Sequence, residues 1–361
     1  MGNKNQHNVK NEKNVQNDKI NKNNDYKTKI NYKFNSNPNF KFKKILTNKN
    51  DAYGVNDVFE IYLSFYDNKE YVASPNVNNH NIDIFTLIDT KKINSLKGHK
   101  SIILSIRYFI NNNYKEYLIS SDYRKHVIIW EINNNFEIKY NINTKYRNDI
   151  YSCLMCFPPY EKEGYFITST YCTSNSNENS ATKIFSLEDG KLIRYINESN
   201  NIKIAYLLEW QNMQDEKYYI VQFAEKTIVI NSLDNELYAK FEHSPENCHY
   251  GGYIDKEYLF TTLWNGYIQI WNLYTKKIFK VIKIGDLKLT YILKWNDKYA
   301  IANDCHTKSF FIIDLEQYKV ISKICSNHTK ALKSIKKILH PVYGESLLSS
   351  SYDKIIKIWS V

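Results

Sequence analysis

From about Phe40 onward, short apolar runs alternate with polar turns, the pattern of a chain built from strands. Upstream the pattern is absent. Residues 1–39 are rich in Asn and Lys and hold few apolar positions. Such a segment cannot bury enough surface to offset the entropy of ordering it, so it is expected to be disordered. The reading divides the chain into a low-complexity basic tail, 1–39, and an all-β domain, 40–361.

The β region repeats itself. Residues 259–273 and 347–361 each predict a strand, a tight polar turn and a second strand, ending near Trp271 and Trp359. A third copy ends at Trp130, within Val127-Ile128-Ile129-Trp130-Glu131-Ile132. At this point the chain resembles the WD-repeat family, whose third strand ends in Trp-Asp and whose repeat opens with Gly-His. Gly98-His99 stands 31 positions before Trp130, and His328 stands the same distance before Trp359, with Asn327 in the place of Gly. The other repeats are degenerate: Phe85, Phe185, Asn231 and Ile313 take the Trp position. The seven repeat ends lie about 40–55 residues apart, the WD-repeat range. The resemblance covers about residues 40–361 and implies a seven-bladed β-propeller.

Two further expectations come with the resemblance. The last repeat ends two residues before the chain does, which leaves it short of an outer strand. In the family an N-terminal strand fills that place, and Phe40 to Thr47 is the candidate, ahead of Ile30 to Phe34. The next strand is expected around Val58 to Phe65. The family also builds a buried chain of His, Ser or Thr, Asp and Trp. Buried polar groups are costly unless each finds a partner, and a satisfied network fixes geometry. The seventh repeat supplies His328, Ser349 or Ser351, Asp353 and Trp359. The second supplies His99, Ser120 and Trp130, but Arg124 holds the Asp position and Asp122 lies two residues earlier. The fifth has Trp271 with Asn265 at the Asp position and no Gly-His.

Candidate chemistry adds little to this picture. The Ser-His-Asp set of the seventh repeat could suggest a hydrolase, but the repeat explains its spacing and no strained nucleophile turn accompanies it. Cys153 and Cys156 form a lone C-x-x-C, whereas zinc needs four ligands. No P-loop, dinucleotide fingerprint or H-E-x-x-H is present. Asp304 and His306 share a turn without a visible nucleophile. No catalytic, metal or cofactor site is expected, and no enzyme activity. The Arg of ubiquitin-ligase receptors is missing too: Asn133 and Tyr274 stand there.

Charge and targeting signals shape the choice of partner. The formal net charge is +11, and the tail carries eight Lys against three acidic residues. Such a tail could meet a membrane surface or nucleic acid. The interleaved Asn and acidic residues dilute its field, so nucleic acid is disfavoured as a partner. Gly2 alone does not make a myristoylation site, because Gln6 replaces the usual Ser or Thr. No apolar leader or 18-residue apolar run is present, and the six cysteines are too sparse for a disulfide scaffold. An intracellular protein, cytoplasmic or nuclear, is expected.

The remaining signal is aromatic. Seven residues before the repeat ends, at the tips of the turns that the family places on the top of the ring, stand Tyr123, Trp264, His306 and Tyr352. Asn78, Glu178 and Ala224 hold the other three tips. Turn tips ordinarily take Gly, Asn, Asp or Ser, so large rings there are out of character. With the neighbouring Arg124 they are the expected partner-binding residues, since aromatics and Arg dominate interface hot spots. The insertion Thr173 to Ser180 falls in another such turn. The expected role is a scaffold that binds other proteins, as a subunit of a larger complex.

Overall fold

The computed structural model describes residues 38–361 except 46–59, 65–66, 77, 112, 145–149, 157–163, 171–181, 197–203, 224–225, 232–233, 235 and 243–248. Its strands form seven four-stranded antiparallel sheets, each one blade. Within a blade the strands run a, b, c and d from the axis outward.

Blade 1 comprises Glu60–Leu63, Glu70–Asn76, Asn81–Thr86 and Lys92–Leu96. Blade 2 comprises Ile103–Ile110, Glu116–Asp122, His126–Glu131 and Glu137–Asn143. Blade 3 follows with Ile150–Cys156, Tyr165–Thr170, Thr182–Ser186 and Leu192–Ile196. Blade 4 holds Ile204–Gln211, Lys217–Phe223, Lys226–Asn231 and Leu237–Glu242. Blade 5 holds His249–Asp255, Tyr258–Leu263, Tyr267–Asn272 and Lys277–Lys283. Blade 6 holds Leu289–Lys294, Tyr299–Asp304, Ser309–Asp314 and Lys319–Cys325. Blade 7 takes Leu332–His340, Gly344–Ser351 and Ile356–Ser360, and its fourth strand is Lys41–Ile45 from the other end of the chain.

The middle strands explain the sequence pattern. Ser309–Asp314 is buried at every position, and Glu116–Asp122 likewise. A strand covered on both faces reads as a near-continuous apolar run. The covering elements are the adjacent blades. Tyr62, Ala73 and Ile84 of blade 1 pack with Ile106, Leu118 and Trp130 of blade 2. Val72 and Phe85 on the other face of blade 1 pack with Ile338, Leu348 and Ile358 of blade 7. Each junction around the ring carries an apolar cluster of this kind. Fully burying one such side chain is worth about 1.5–3 kcal/mol. The outer strands face water on one side and carry Lys: Lys277–Lys283 exposes all but one residue. Edge lysines discourage strand-to-strand association.

The c and d strands slip register beside Phe85, Trp130, Phe185, Trp271 and Ile313, each a repeat end. In blade 4 the slip falls between Val229 and Ile230. The repeat end there is therefore the buried Ile230, not Asn231. The count is displaced because Leu233 stands three positions after Ile230, whereas Leu87, Leu187, Leu273 and Leu315 stand two positions after their repeat ends.

The ring closes through Lys41–Ile45, which pairs antiparallel with Ile356–Ser360, Phe42 opposite Trp359. The strand starts one residue later than the expected Phe40 to Thr47. Leu46, Thr47 and the rival Ile30 to Phe34 lie outside the described residues, as do residues 1–37 of the tail. Phe40 precedes the strand and is buried, its ring edge-on to Trp295 at 4.8 Å between centroids. The strand expected around Val58 to Phe65 is Glu60–Leu63.

Removing residues 1–38 is expected to leave the melting transition unchanged, whereas removing 1–48 deletes the closing strand and lowers it. Phe40→Ala in the full chain should cost about 3–5 kcal/mol in urea unfolding, the range for a buried Phe.

Candidate functional site

Among the described residues, two blades contain complete buried polar chains. In blade 7, Trp359 Nε1 donates to Ser349 Oγ at 2.8 Å. Ser349 Oγ lies 3.0 Å from His328 Nε2, and His328 Nδ1 lies 2.9 Å from Asp353 Oδ2. The carboxylate accepts, so Nδ1 carries the proton and Nε2 accepts from the serine hydroxyl. Every donor in the chain points toward Asp353. Of the two candidate serines, strand geometry selects Ser349; Ser351 Oγ instead donates to the Lys330 carbonyl at 2.9 Å.

Blade 2 repeats the chain with a different acid. Trp130 Nε1 donates to Ser120 Oγ at 2.9 Å, Ser120 Oγ lies 2.7 Å from His99 Nε2, and His99 Nδ1 lies 3.0 Å from Asp122 Oδ2. The loss suggested by Arg124 therefore does not occur, because Asp122 reaches the ring from the end of strand b. Its other oxygen accepts the amides of Arg124 and His126 at 2.9 and 3.0 Å, which folds the turn around it. In blade 5, Trp271 is buried against Phe241, 5.1 Å between ring centroids, and Thr261 donates to the Gln269 carbonyl.

These chains resemble a hydrolytic triad in connectivity only. Ser120 and Ser349 are fully buried, and each oxygen already accepts from an indole. A nucleophile so placed cannot meet a substrate while the blade is folded. Burial pushes both His99 and His328 below the ordinary histidine value of 6.5, partly offset by Asp122 and Asp353. Burial alone would raise both aspartates, but the histidines and the surrounding amides bring them below 3.8.

The top of the ring carries the aromatic tips. Tyr123 is 52% exposed and Arg124 beside it is exposed, on a turn pinned by the Tyr123 amide donating to the Ile102 carbonyl at 2.8 Å. Trp264 is 38% exposed. Its turn is held down by Gly266, at φ +80°, where a Cβ would fall 1.7 Å from the Gly285 carbonyl. The Ile284 amide donates to Gly266, which ties the tip to the loop leading to Lys288. Lys288 Nζ lies 4.8 Å from the Trp264 ring centroid. Tyr352 is half-buried, with Lys333 Nζ 3.8 Å from its ring centroid. His306 is exposed and Asn78 likewise. Glu178, Ala224 and the insertion Thr173 to Ser180 lie outside the described residues.

Blades 5, 6 and 7 thus bring Trp264, His306 and Tyr352 to one side of the ring. Tyr123 and Arg124 stand on blade 2, separated from blade 7 by blade 1. The fold adds residues that the turn pattern could not find. Lys288 comes from the connection between blades 5 and 6, Lys333 from the start of the inner strand of blade 7, and Cys305 opens the blade 6 turn. Burial brings Lys333 down to about 8. Burial and the neighbouring Asp304 push the Cys305 thiol up, while Lys333 and Lys288 oppose the rise. Asp304 does not pair with His306: its oxygens accept the amides of Lys288 at 2.8 Å and Thr307 at 2.6 Å. Among the described residues no cluster of His, Cys, Asp and Glu could hold a metal. The side chains of Cys153 and Cys156 are outside those described.

A family model described as "WD domain, G-beta repeat" matches residues 90–131 and 319–360. Each matched stretch runs from the outer strand of one blade through strands a, b and c of the next, ending beside Trp130 or Trp359. They are the two stretches that contain the complete polar chains. No curated protein matches the chain significantly.

The buried histidines bind protons less well folded than unfolded. Their stability contribution is complete above pH 6.5, the ordinary value, and falls as pH drops through it. A His99→Gln, His328→Gln double variant should be less stable at neutral pH and show a shallower decline in Tm below 6.5. Equal slopes would show that these two side chains do not govern the acid limb. Trp359→Phe keeps the ring and loses the hydrogen bond to Ser349; chemical denaturation should register a loss of about 1–3 kcal/mol.

Proposed function

We propose, from the premise that this chain is a seven-bladed β-propeller of the WD-repeat type, that it is a non-catalytic scaffold holding other proteins on the top face of its ring. Propellers of this type commonly serve as protein-interaction platforms, but a fold alone hosts many functions. The observation that carries the reading is the exposure of large rings at hairpin tips, Tyr123 and Trp264 above all. A ring there contributes little to its own hairpin and leaves apolar area for a partner to cover. Aromatic anchors gain binding energy with few rotors to freeze. The serines that mimic a triad are sealed inside blades, which favours recognition over chemistry.

On this reading the chain works inside the cell, in cytoplasm or nucleus, as a subunit of a larger complex. Among the described residues no helix is long and apolar enough to cross a membrane. A second reading rests on the tail, whose eight Lys against three acidic residues would draw it to an anionic membrane or to nucleic acid. Such binding would fade with salt.

The test compares quantitative pulldowns by the wild-type chain and by a Tyr123→Ala, Trp264→Ala, Tyr352→Ala variant with the same melting profile. Partners of the top face should be lost from the variant, each hot-spot ring contributing about 2 kcal/mol or roughly thirtyfold in Kd. Unchanged partners would move the interaction to the sides of the ring, or to the tail if a chain lacking residues 1–38 loses them.

A further inference from the structure

The face opposite the aromatic tips carries the a–b and c–d turns, and three exposed apolar side chains gather there at the junction of blades 7 and 1. Leu339 lies at the end of strand a of blade 7, Val342 in the turn after it, and Ile88 in the c–d turn of blade 1. They are 44, 66 and 62% exposed. His340 holds the two turns together. Its Nε2 donates to the Leu87 carbonyl at 3.1 Å, and its Nδ1 accepts from the amides of Val342 and Tyr343 at 3.1 and 3.2 Å. Exposed apolar residues such as Ile93, Ile138 and Ile321 stand apart on outer strands. Scattered ones need no explanation, but a gathered set marks a surface that something covers.

The chain enters the ring beside this patch. Pro38 and Phe40 are buried, and the Phe40 ring meets Trp295 in the a–b turn of blade 6. The Trp295 carbonyl also accepts from Lys337 Nζ at 3.4 Å. Leu339 stands two residues past Lys337 on the same face of the strand, about 7 Å along it. The N-terminal segment therefore leaves the ring close to Leu339, with Val342 and Ile88 beyond. That segment holds Ile30, Tyr32 and Phe34 in alternation with Lys29, Asn31, Lys33 and Asn35. The intervening residues 35–39 span at most about 17 Å.

We propose that residues 30–34 of this chain lie extended across the patch, with Ile30, Tyr32 and Phe34 against Leu339, Val342 and Ile88. An extended run points alternate side chains to opposite sides, so Asn31 and Lys33 then face water. The run is not needed for closure, since Lys41–Ile45 fills the fourth strand of blade 7. It is also the densest apolar stretch upstream of Pro38. Tethering selects the occupant. A short linker gives an effective concentration on the order of millimolar, so a weak apolar contact suffices. A second copy, or a separate partner at micromolar concentration, competes poorly with it. The proposal concerns the face opposite the one used in the scaffold reading and stands independently of that reading.

Millisecond hydrogen exchange of the full chain, read by mass spectrometry, tests the docking. Corrected for intrinsic rates, amides of residues 29–35 should exchange about tenfold more slowly than those of residues 10–20, a bias of about 1.4 kcal/mol toward the docked state. Docking of that strength shifts Tm by only about 2 °C, so exchange and not melting is the readout. An Ile88→Asp, Val342→Asp variant should abolish the protection. A Tyr32→Asn, Phe34→Asn variant should do the same without touching the ring, which guards against misfolding of the first. Met213→Asp, at an exposed apolar residue in the a–b turn of blade 4, should leave the protection intact. Equal exchange of the two segments in the wild type would overturn the proposal. So would protection that survives either double variant, or that Met213→Asp removes as well. Protection that rises with protein concentration would place a second copy on the patch and overturn it too.

Discussion

The pairing of Lys41–Ile45 with Ile356–Ser360 joins the first described strand to the last, and the ring depends on it. Each blade buries its two faces against its neighbours, so no blade owns a complete core. Blade 1 shows this most directly: one face needs Trp130 of blade 2, the other needs Ile358 of blade 7. Without closure both faces at the seam would be open to water. Strand c of blade 7 would also present an unpaired edge, the usual route to association. Bringing distant segments together costs loop-closure entropy, but that cost grows only slowly with length. The apolar packing of Phe40 against Trp295 helps offset it.

The polar chains act at a different scale. They lock strands b and c of blades 2 and 7 to the connection that enters each blade, through His99 and His328. A satisfied buried network has one good geometry, which makes those blades stiff references for their turns. The aspartates illustrate the coupling. Asp122 and Asp353 occupy different positions in their hairpins, yet each completes the chain while accepting amides of its own turn. The same atoms thus serve the interior and shape the top surface. In blade 5, Gly266 positions the tip by letting the turn approach the next loop closely.

This division assigns recognition to what the ring leaves over. The b–c tips of blades 2, 5, 6 and 7 need no large side chain for folding, since three or four residues suffice to reverse the strand. Tyr123 and Trp264 are exposed there, unlike the rings inside the blades. Lys288 reaches Trp264 from the connection between blades 5 and 6, and Lys333 reaches Tyr352 within blade 7 from its inner strand. A surface assembled from several blades is rigid only because the ring is closed.

The sequence by itself determined the architecture. Its apolar runs and the repeats ending at Trp130, Trp271 and Trp359 carried the resemblance that implied a seven-bladed ring. These features are local, and strand pairing within a blade is nearly local too. It also marked the aromatic tips, because turn chemistry is written in consecutive residues. Tertiary structure decided the rest. Asp122 replaced the position held by Arg124 because strand geometry, not spacing, governs reach to His99. Ile230 displaced Asn231 because the pairing of strands c and d, not the spacing to Leu233, fixes the repeat end. Lys288 joined Trp264 because neighbouring blades bring together residues that lie apart in the chain. No pattern read along one repeat contains a contact made between two.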